Sequence, residues 1–222
     1  VDIGGESTRP GAEPVDDATE IQRVVPVIRA LKLANPEGLI SVDTRHASVA
    51  HEALKAGADM VNDVSGLRDK AMIDTVLEWK AAICIMHMQG EPGTMQTKPH
   101  YVNCVEEVST YLTNQCNLLT AQGHPKELIC IDPGIGFGKD HGHNIALLQA
   151  GKTIAEDPSV SVLWGVSRKR IVGHLTGHDH ADERLAGTLG LAAVAASHGI
   201  DILRVHDVQE HVDLFSTMKP FD

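Results

Sequence analysis

The sequence predicts an α/β protein of the (β/α)8 TIM-barrel class, and three observations predict it. Short apolar runs alternate strictly with helix-like segments along the 222 residues, which implies a parallel sheet covered by helices, because a parallel connection needs a crossover. Nearly every run ends on its carboxyl side in a polar or charged residue: Asp43, Asn62, His87, Asp132, Ser167 with Lys169, and Arg204 with His206. An open sheet concentrates such residues at one switch point, whereas a barrel gathers them from every strand at one mouth. A complete barrel takes about 250 residues, so seven strands in this length predict a barrel lacking its first strand, first loop and first helix. The chain opens at Val1 directly inside a strand-like run.

The strand-like runs are Val1 to Gly5, Leu39 to Val42, Met60-Val61, Ala81 to Met86, Leu128 to Ile131, Ser161 to Val166 and Ile202 to Val205. Between the first two, Ile21, Val24, Val25, Ile28 and Leu31 keep helical spacing on one face. Leu185, Leu189, Ala192, Ala193 and Ala196 do the same within an Ala-rich helix expected over 183–197.

Composition bounds the rest. With 42% hydrophobic and 22% charged residues the chain reads as one soluble globular domain over residues 1–222, and no apolar run reaches the roughly 18 residues of a membrane span. A net charge of -11 repels polyanions, so a nucleic-acid partner is not expected and any phosphate chemistry must rest on a local basic pocket. The four cysteines form no CxxC pair, and Cys84 and Cys130 lie inside apolar runs, which points to reduced thiols in a cytoplasmic protein.

Chemistry is concentrated after the last strands. Arg204 and His206 are two apart, so a strand would carry both on one face, and Asp207 with Glu210 three residues on resembles a helix N-cap. Two cationic side chains beside a helix amino end make an anion site; the bland alternative is an arginine paired with Asp207. Ser167-Arg168-Lys169-Arg170 adds a basic cluster where barrels commonly hold phosphate, although a solvated basic turn would look the same at Arg168 and Arg170.

The run Asp132-Pro133-Gly134-Ile135-Gly136-Phe137-Gly138-Lys139 lacks the spacing of a phosphate loop. Its glycines are read as permitting a sharp turn, leaving Asp132 as a carboxylate at the mouth and Phe137 as an apolar surface for a ring. Asp43, Asn62 and Asp132 would then face one another, well suited to hydrogen-bonding a flat heterocycle, with a closed structural network as the lesser alternative. Arg9 sits on a Pro/Gly-bounded loop able to close over substrate. The pairs His141/His143 and His178/His180 fall in loops and read as solvated rather than metal-binding.

The runs IGGESTRPG, SVDT, VNDV, MHMQG, DPGIGFGK, SRK and RVHD, in this order over essentially the whole chain, resemble the dihydropteroate synthases. That resemblance implies a transferase of folate biosynthesis that joins a 6-hydroxymethyl-7,8-dihydropterin pyrophosphate to p-aminobenzoate. It implies catalytic roles for Lys169, Arg204, His206 and Asp132, and a pterin site of Asp43, Asn62, Met86, Asp132, Lys169 and Arg204. Pyrophosphate would lie between Arg9, Arg204 and His206, with magnesium as cofactor. The p-aminobenzoate site, which sulfonamides also occupy, would involve Thr8, Arg9, Pro10, Phe137, Ser167 and Lys169. A homodimer is implied through the Ala-rich helix and the one after it.

The family's opening segment of the type N-V-T-P-D-S-F, whose Asn helps hold magnesium, is not in these 222 residues, so no metal ligand is assigned within them. Two rival readings remain at this stage. One is a pterin-binding methyltransferase domain, which has less need of the SRK and RVHD pair; the other is a non-catalytic pterin-binding module.

Overall fold

The computed structural model describes residues 1–8, 11–91 and 93–221. Seven parallel strands follow one another in sheet order exactly as in the chain, β1 (Asp2–Gly4), β2 (Ser41–Asp43), β3 (Met60–Asp63), β4 (Ala82–Met86), β5 (Ile129–Asp132), β6 (Ser161–Trp164) and β7 (Ile202–Leu203). Between and after them run α1 (Asp17–Ala34), α2 (Ala47–Lys55), α3 (Lys70–Trp79), α4 (Cys104–Thr120), α5 (His141–Ala150), α6 (Arg170–Thr176), α7 (Leu185–Ser197) and α8 (Val208–Met218). The sheet is a curled part-barrel: β1 pairs with β2 and β7 with β6, and a side chain spans the seam between them, since Arg204 beyond β7 donates to Asp2 of β1.

Strand alternation divides the side chains into two sets. Val42, Val61, Ile83, Ile85, Ile129, Ile131 and Val162 face outward into the main core, packed with helix residues such as Val24, Ile28, Val49, Met72, Val76 and Leu112. Each such aliphatic side chain contributes on the order of 1.5–3 kcal/mol by leaving water. The alternate residues face inward: Cys84, Cys130 and Leu163 form a small inner cluster with Met60 against it. Asp43 pairs in register with Asn62, Asn62 with Cys84, Cys84 with Cys130, and Met86 with Asp132, so these residues share the inner face.

Local chemistry starts the helices. Asp16 accepts the Thr19 N–H at 2.9 Å to cap α1, and Asp69 accepts that of Ala71 at 2.9 Å to cap α3. Several sequence expectations need correction. His141 and His143 are not loop residues: they open α5, where His143 and Asp140 form a reciprocal capping box. The helix expected over 183–197 begins at Leu185, after a 3-10 turn over Ala181–Arg184. The last two runs are shorter strands than expected, β6 stopping before Gly165 and β7 at Leu203, so Arg204 and His206 lie on an extended tail beyond β7.

Candidate active site

Three groups of side chains converge on the carboxyl ends of the strands. The first centres on Arg204, whose Nε donates to Asp2 Oδ2 and whose Nη2 donates to Asp43 Oδ2 at 2.8 Å. Asn62 Nδ2 reaches the same Asp2 oxygen at 3.3 Å. The second carboxylate oxygens of Asp2 and Asp43 are buried and have no protein partner. Two acceptors and an amide at the inner face are therefore arranged for donors that the described residues do not supply. Burial first, and the Asp2 carboxylate second, raise the Asp43 carboxyl to about 7 against the opposing pull of Arg204.

The second group is Asp132, Lys169, Phe137 and Met86. Asp132 Oδ1 accepts the Gly134 N–H at 2.7 Å, and Lys169 Nζ donates to the Ile135 carbonyl at 2.6 Å while standing 4.6 Å from the centre of the Phe137 ring. A Cβ on Gly165 would stand 3.8 Å from Asp132 Oδ2 and 4.0 Å from Lys169 Nζ, so both lie over the end of β6. Burial lowers the Lys169 ammonium to about 8, helped by Arg204 and opposed by Asp132. Burial likewise raises Asp132, with Lys169 the largest opposing influence and Arg204 a further one. These mutual effects place the Arg204 and Lys169 groups in one electrostatic environment. Met86 is buried and packs with Val64, Met88 and Met95 against Phe137.

The turn that carries Phe137 owes its shape to glycine. Gly134 has φ +69°, and a Cβ there would fall 1.9 Å from the His87 carbonyl oxygen; at Gly138, φ +64°, it would fall 2.4 Å from that of Gln89. The turn thus lies directly on the end of β4.

The third group is Ser167 and His206. Ser167 Oγ accepts the His206 backbone N–H at 3.2 Å and lies in hydrogen-bond contact with His206 Nδ1 at 2.9 Å. Asp207 does not cap α8 with its side chain as expected; Arg168 holds the carboxylate in a two-pronged pair, Nε to Oδ2 at 2.9 Å. Arg168 thus stays partly exposed to solvent but is paired, and the aspartate partner expected as a bland alternative for Arg204 serves Arg168 instead. Arg184 steadies the same turn by donating to the Arg168 carbonyl at 2.9 Å.

Of the residues singled out from sequence, Asp43, Asn62, Met86, Asp132, Phe137, Ser167, Lys169, Arg204 and His206 occupy these three groups. Thr8 is half-buried on the loop after β1, and Arg9 and Pro10 lie outside the described residues. Sequence reasoning missed Asp2, which starts the opening run; the available signal was its position two residues before Gly4, on the inner face. Among the described residues one cluster, Glu6, Glu20 and His46, has metal-ligating types. Glu6 is engaged by Arg45 at 2.8 Å and by the Val15 N–H at 3.0 Å, and Glu20 meets His46 within the cluster at 2.8 Å while its other carboxylate oxygen is buried without a partner among the described residues.

Residues 1–206 match the family described as pterin binding enzyme. The chain belongs to the pterin-binding enzyme family. Within this family it is 41% identical over 213 residues to the dihydropteroate synthase of Escherichia coli K12, covering 96% of the chain and 74% of that protein. Among solved pterin-binding enzymes it is similar to the Yersinia pestis dihydropteroate synthase in a sulfonamide drug complex, with a TM-score of 0.92 and 36% identity over 99% of this chain and 78% of that one. The Burkholderia cenocepacia dihydropteroate synthase complexed with 7,8-dihydropteroate gives a TM-score of 0.92 and 41% identity over 99% of this chain and 80% of that one.

Proposed function

We propose that the chain works as one pterin-binding domain over residues 1–222 and condenses a 6-hydroxymethyl-7,8-dihydropterin pyrophosphate with p-aminobenzoate, giving 7,8-dihydropteroate and pyrophosphate in folate biosynthesis. The observation that carries this reading is the joining of an inner acceptor set, Asp2, Asp43, Asn62 and Asp132, to the cationic pair Arg204 and Lys169 through Arg204, with His206 two residues beyond it. The inner set suits the amino and ring N–H groups of the heterocycle, and the outer set suits the diphosphate.

In the reaction the bond from the methylene carbon to the diphosphate oxygen breaks, and the arylamine nitrogen forms a bond to that carbon and then loses a proton. Arg204 and His206 stabilise the charge gathering on the leaving diphosphate, and the Asp132 carboxylate stabilises positive charge spread over the pterin ring. Lys169 and Phe137, with Ser167 and Thr8, seat p-aminobenzoate, and sulfonamides compete there. Arg9 and Pro10 belong to the same proposal as closing elements of the diphosphate and p-aminobenzoate sites.

Magnesium enters this proposal as counter-ion of the diphosphate, where it supplies charge neutralisation. The described donors at that end are a guanidinium, an imidazole and a hydroxyl, which do not make the oxygen-rich octahedral shell magnesium demands, so no step is routed through the metal. We further propose a homodimer, supported by the apolar groove of about 430 Å3 lined by Ala195, Ala196, Val208, Val212 and Phe215 between α7 and α8. A cytoplasmic location is proposed on the four buried free cysteines; no described helix is long and apolar enough to cross a membrane.

The test is pyrophosphate release. It is expected on mixing the chain with both substrates and not with either alone; none from the pair would refute the reading.

Burial of Asp43 and Lys169 sets a pH expectation. Asp43 accepts N–H groups best when ionised and Lys169 attracts anions only when protonated, so with values of about 7 and about 8 the kcat/KM profile should rise near pH 7 and fall near pH 8. Asp43→Asn is expected to abolish the rising limb, and an unchanged limb would exclude Asp43 as its source. Because the folded carboxyl sits above its ordinary 3.8, the stability Asp43 contributes is fully present below that value and is lost as pH rises through about 7.

A further inference from the structure

Lys139 ends the glycine turn and has no part in the reaction described above, yet its side chain is buried, with the residue only 3% exposed. Its ammonium donates to the Phe137 carbonyl at 2.9 Å and to the His87 carbonyl at 3.2 Å, and it meets His87 Nδ1 at 3.0 Å. An ammonium has three N–H groups and no acceptor, so these three partners exhaust it, and Nδ1 must be the accepting nitrogen of the ring. Burial, reinforced by the Lys139 charge, pushes His87 down to about 3, which keeps that ring neutral and able to accept. Lys139 therefore ties the end of β4 to the turn that carries Phe137.

Other bonds hold the turn at other points: Lys169 takes the Ile135 carbonyl at 2.6 Å, Tyr101 that of Gly138 at 2.9 Å, and Asn144 accepts the Gly136 N–H at 2.7 Å. Lys139 takes the carbonyl of Phe137 itself. A buried cation is a costly way to make a structural tie, since apolar packing of equal volume is often neutral or better for stability. Burial pulls the ammonium down to about 7, with Cys104 and Asp132 opposing and Lys169 adding to the fall. What the cation provides is a three-pronged clamp whose partners are two backbone carbonyls and a ring fixed to the strand end.

We propose that Lys139 is a positioning residue for the p-aminobenzoate side of the site, holding the Phe137 carbonyl to the end of β4 and so setting the Phe137 ring against Lys169. The proposal rests on the synthase reading above. It predicts an uneven effect, because Asp2, Asp43, Asn62 and Arg204 lie on or just beyond β1, β2, β3 and β7, away from this turn, and of the inner set Asp132 alone is bonded to it, through the Gly134 N–H, at a point the Lys139 clamp does not hold.

The test is steady-state pyrophosphate release by Lys139→Met, with each substrate varied in turn and thermal unfolding as a fold check. The KM for p-aminobenzoate is expected to rise about tenfold, the loss of roughly one hydrogen bond from a charged donor. The KM for the pterin pyrophosphate should stay within about threefold, and kcat should change less than the first KM. Two unchanged KM values, or two that rise together, would overturn the proposal.

Should Lys139→Met not fold, His87→Phe removes only the ring acceptor, and a smaller rise confined to the p-aminobenzoate KM is expected; no change, or an equal change in both, again overturns it. Wild-type chain that releases no pyrophosphate would remove the synthase reading and this proposal with it. Active wild type with an unselective variant would remove this proposal alone.

Discussion

Arg204→Ala is expected to lower kcat/KM by about 10²- to 10³-fold, the loss typical of removing one preorganised donor from developing negative charge. Arg204 is the hinge of the site. It bridges Asp2 and Asp43, and its charge bears on both Asp132 and Lys169. Removing it withdraws the diphosphate ligand and also leaves two neighbouring carboxylates facing each other without a cation, which raises Asp43 still further because Arg204 is the group that opposes its burial. Arg204→Lys retains a point charge but cannot span two carboxylates with a planar fork, so an intermediate loss is expected. Pyrophosphate release measured over both substrates decides this. A near-normal kcat/KM in folded Arg204→Ala would show that the leaving group is stabilised elsewhere.

Asp132→Asn is expected to weaken binding of the pterin pyrophosphate by about 10- to 100-fold, since a hydrogen bond to a charged group contributes about 1.5–3 kcal/mol. The amide can still accept the Gly134 N–H that Asp132 Oδ1 accepts at 2.7 Å, so the turn should survive and the effect should report charge rather than collapse. Lys169 has Asp132 as the largest influence opposing its burial, and the substitution should push that ammonium lower still. Titration calorimetry with the pterin substrate measures the loss directly. Unchanged affinity would place the heterocycle away from β5.

The strand order was readable because each parallel strand leaves a short apolar run and each barrel strand ends in a polar residue, as at Asp43, Asn62 and Asp132. The glycine turn was readable for the same local reason: the run of alternating glycines lies where backbone meets backbone, as the Gly134 approach to His87 demonstrates. What escaped was long-range pairing. Asp2 and Arg204 are 202 positions apart and meet only because the sheet curls, so strand alternation could place Asp2 on the inner face but not pair it with Arg204. Asp207 has the pattern of a helix cap, but Arg168, 39 positions earlier, offers its carboxylate two N–H groups and a full charge. The pair His141 and His143 looked like loop residues because His143 is an uncommon partner for a capping aspartate. Lys139 drew no reading from the sequence beyond its place at the end of the glycine run, because its partners, Phe137 and His87, lie on two segments that only the fold brings together.

A crystal structure of the chain with an unreactive pterin pyrophosphate analogue tests most directly whether one pocket grips the substrate at both ends. The heterocycle should lie among Asp43, Asn62 and Asp132 with its diphosphate against Arg204 and His206. A pterin bound away from the inner face, or a diphosphate turned from Arg204 toward another surface, would contradict that placement.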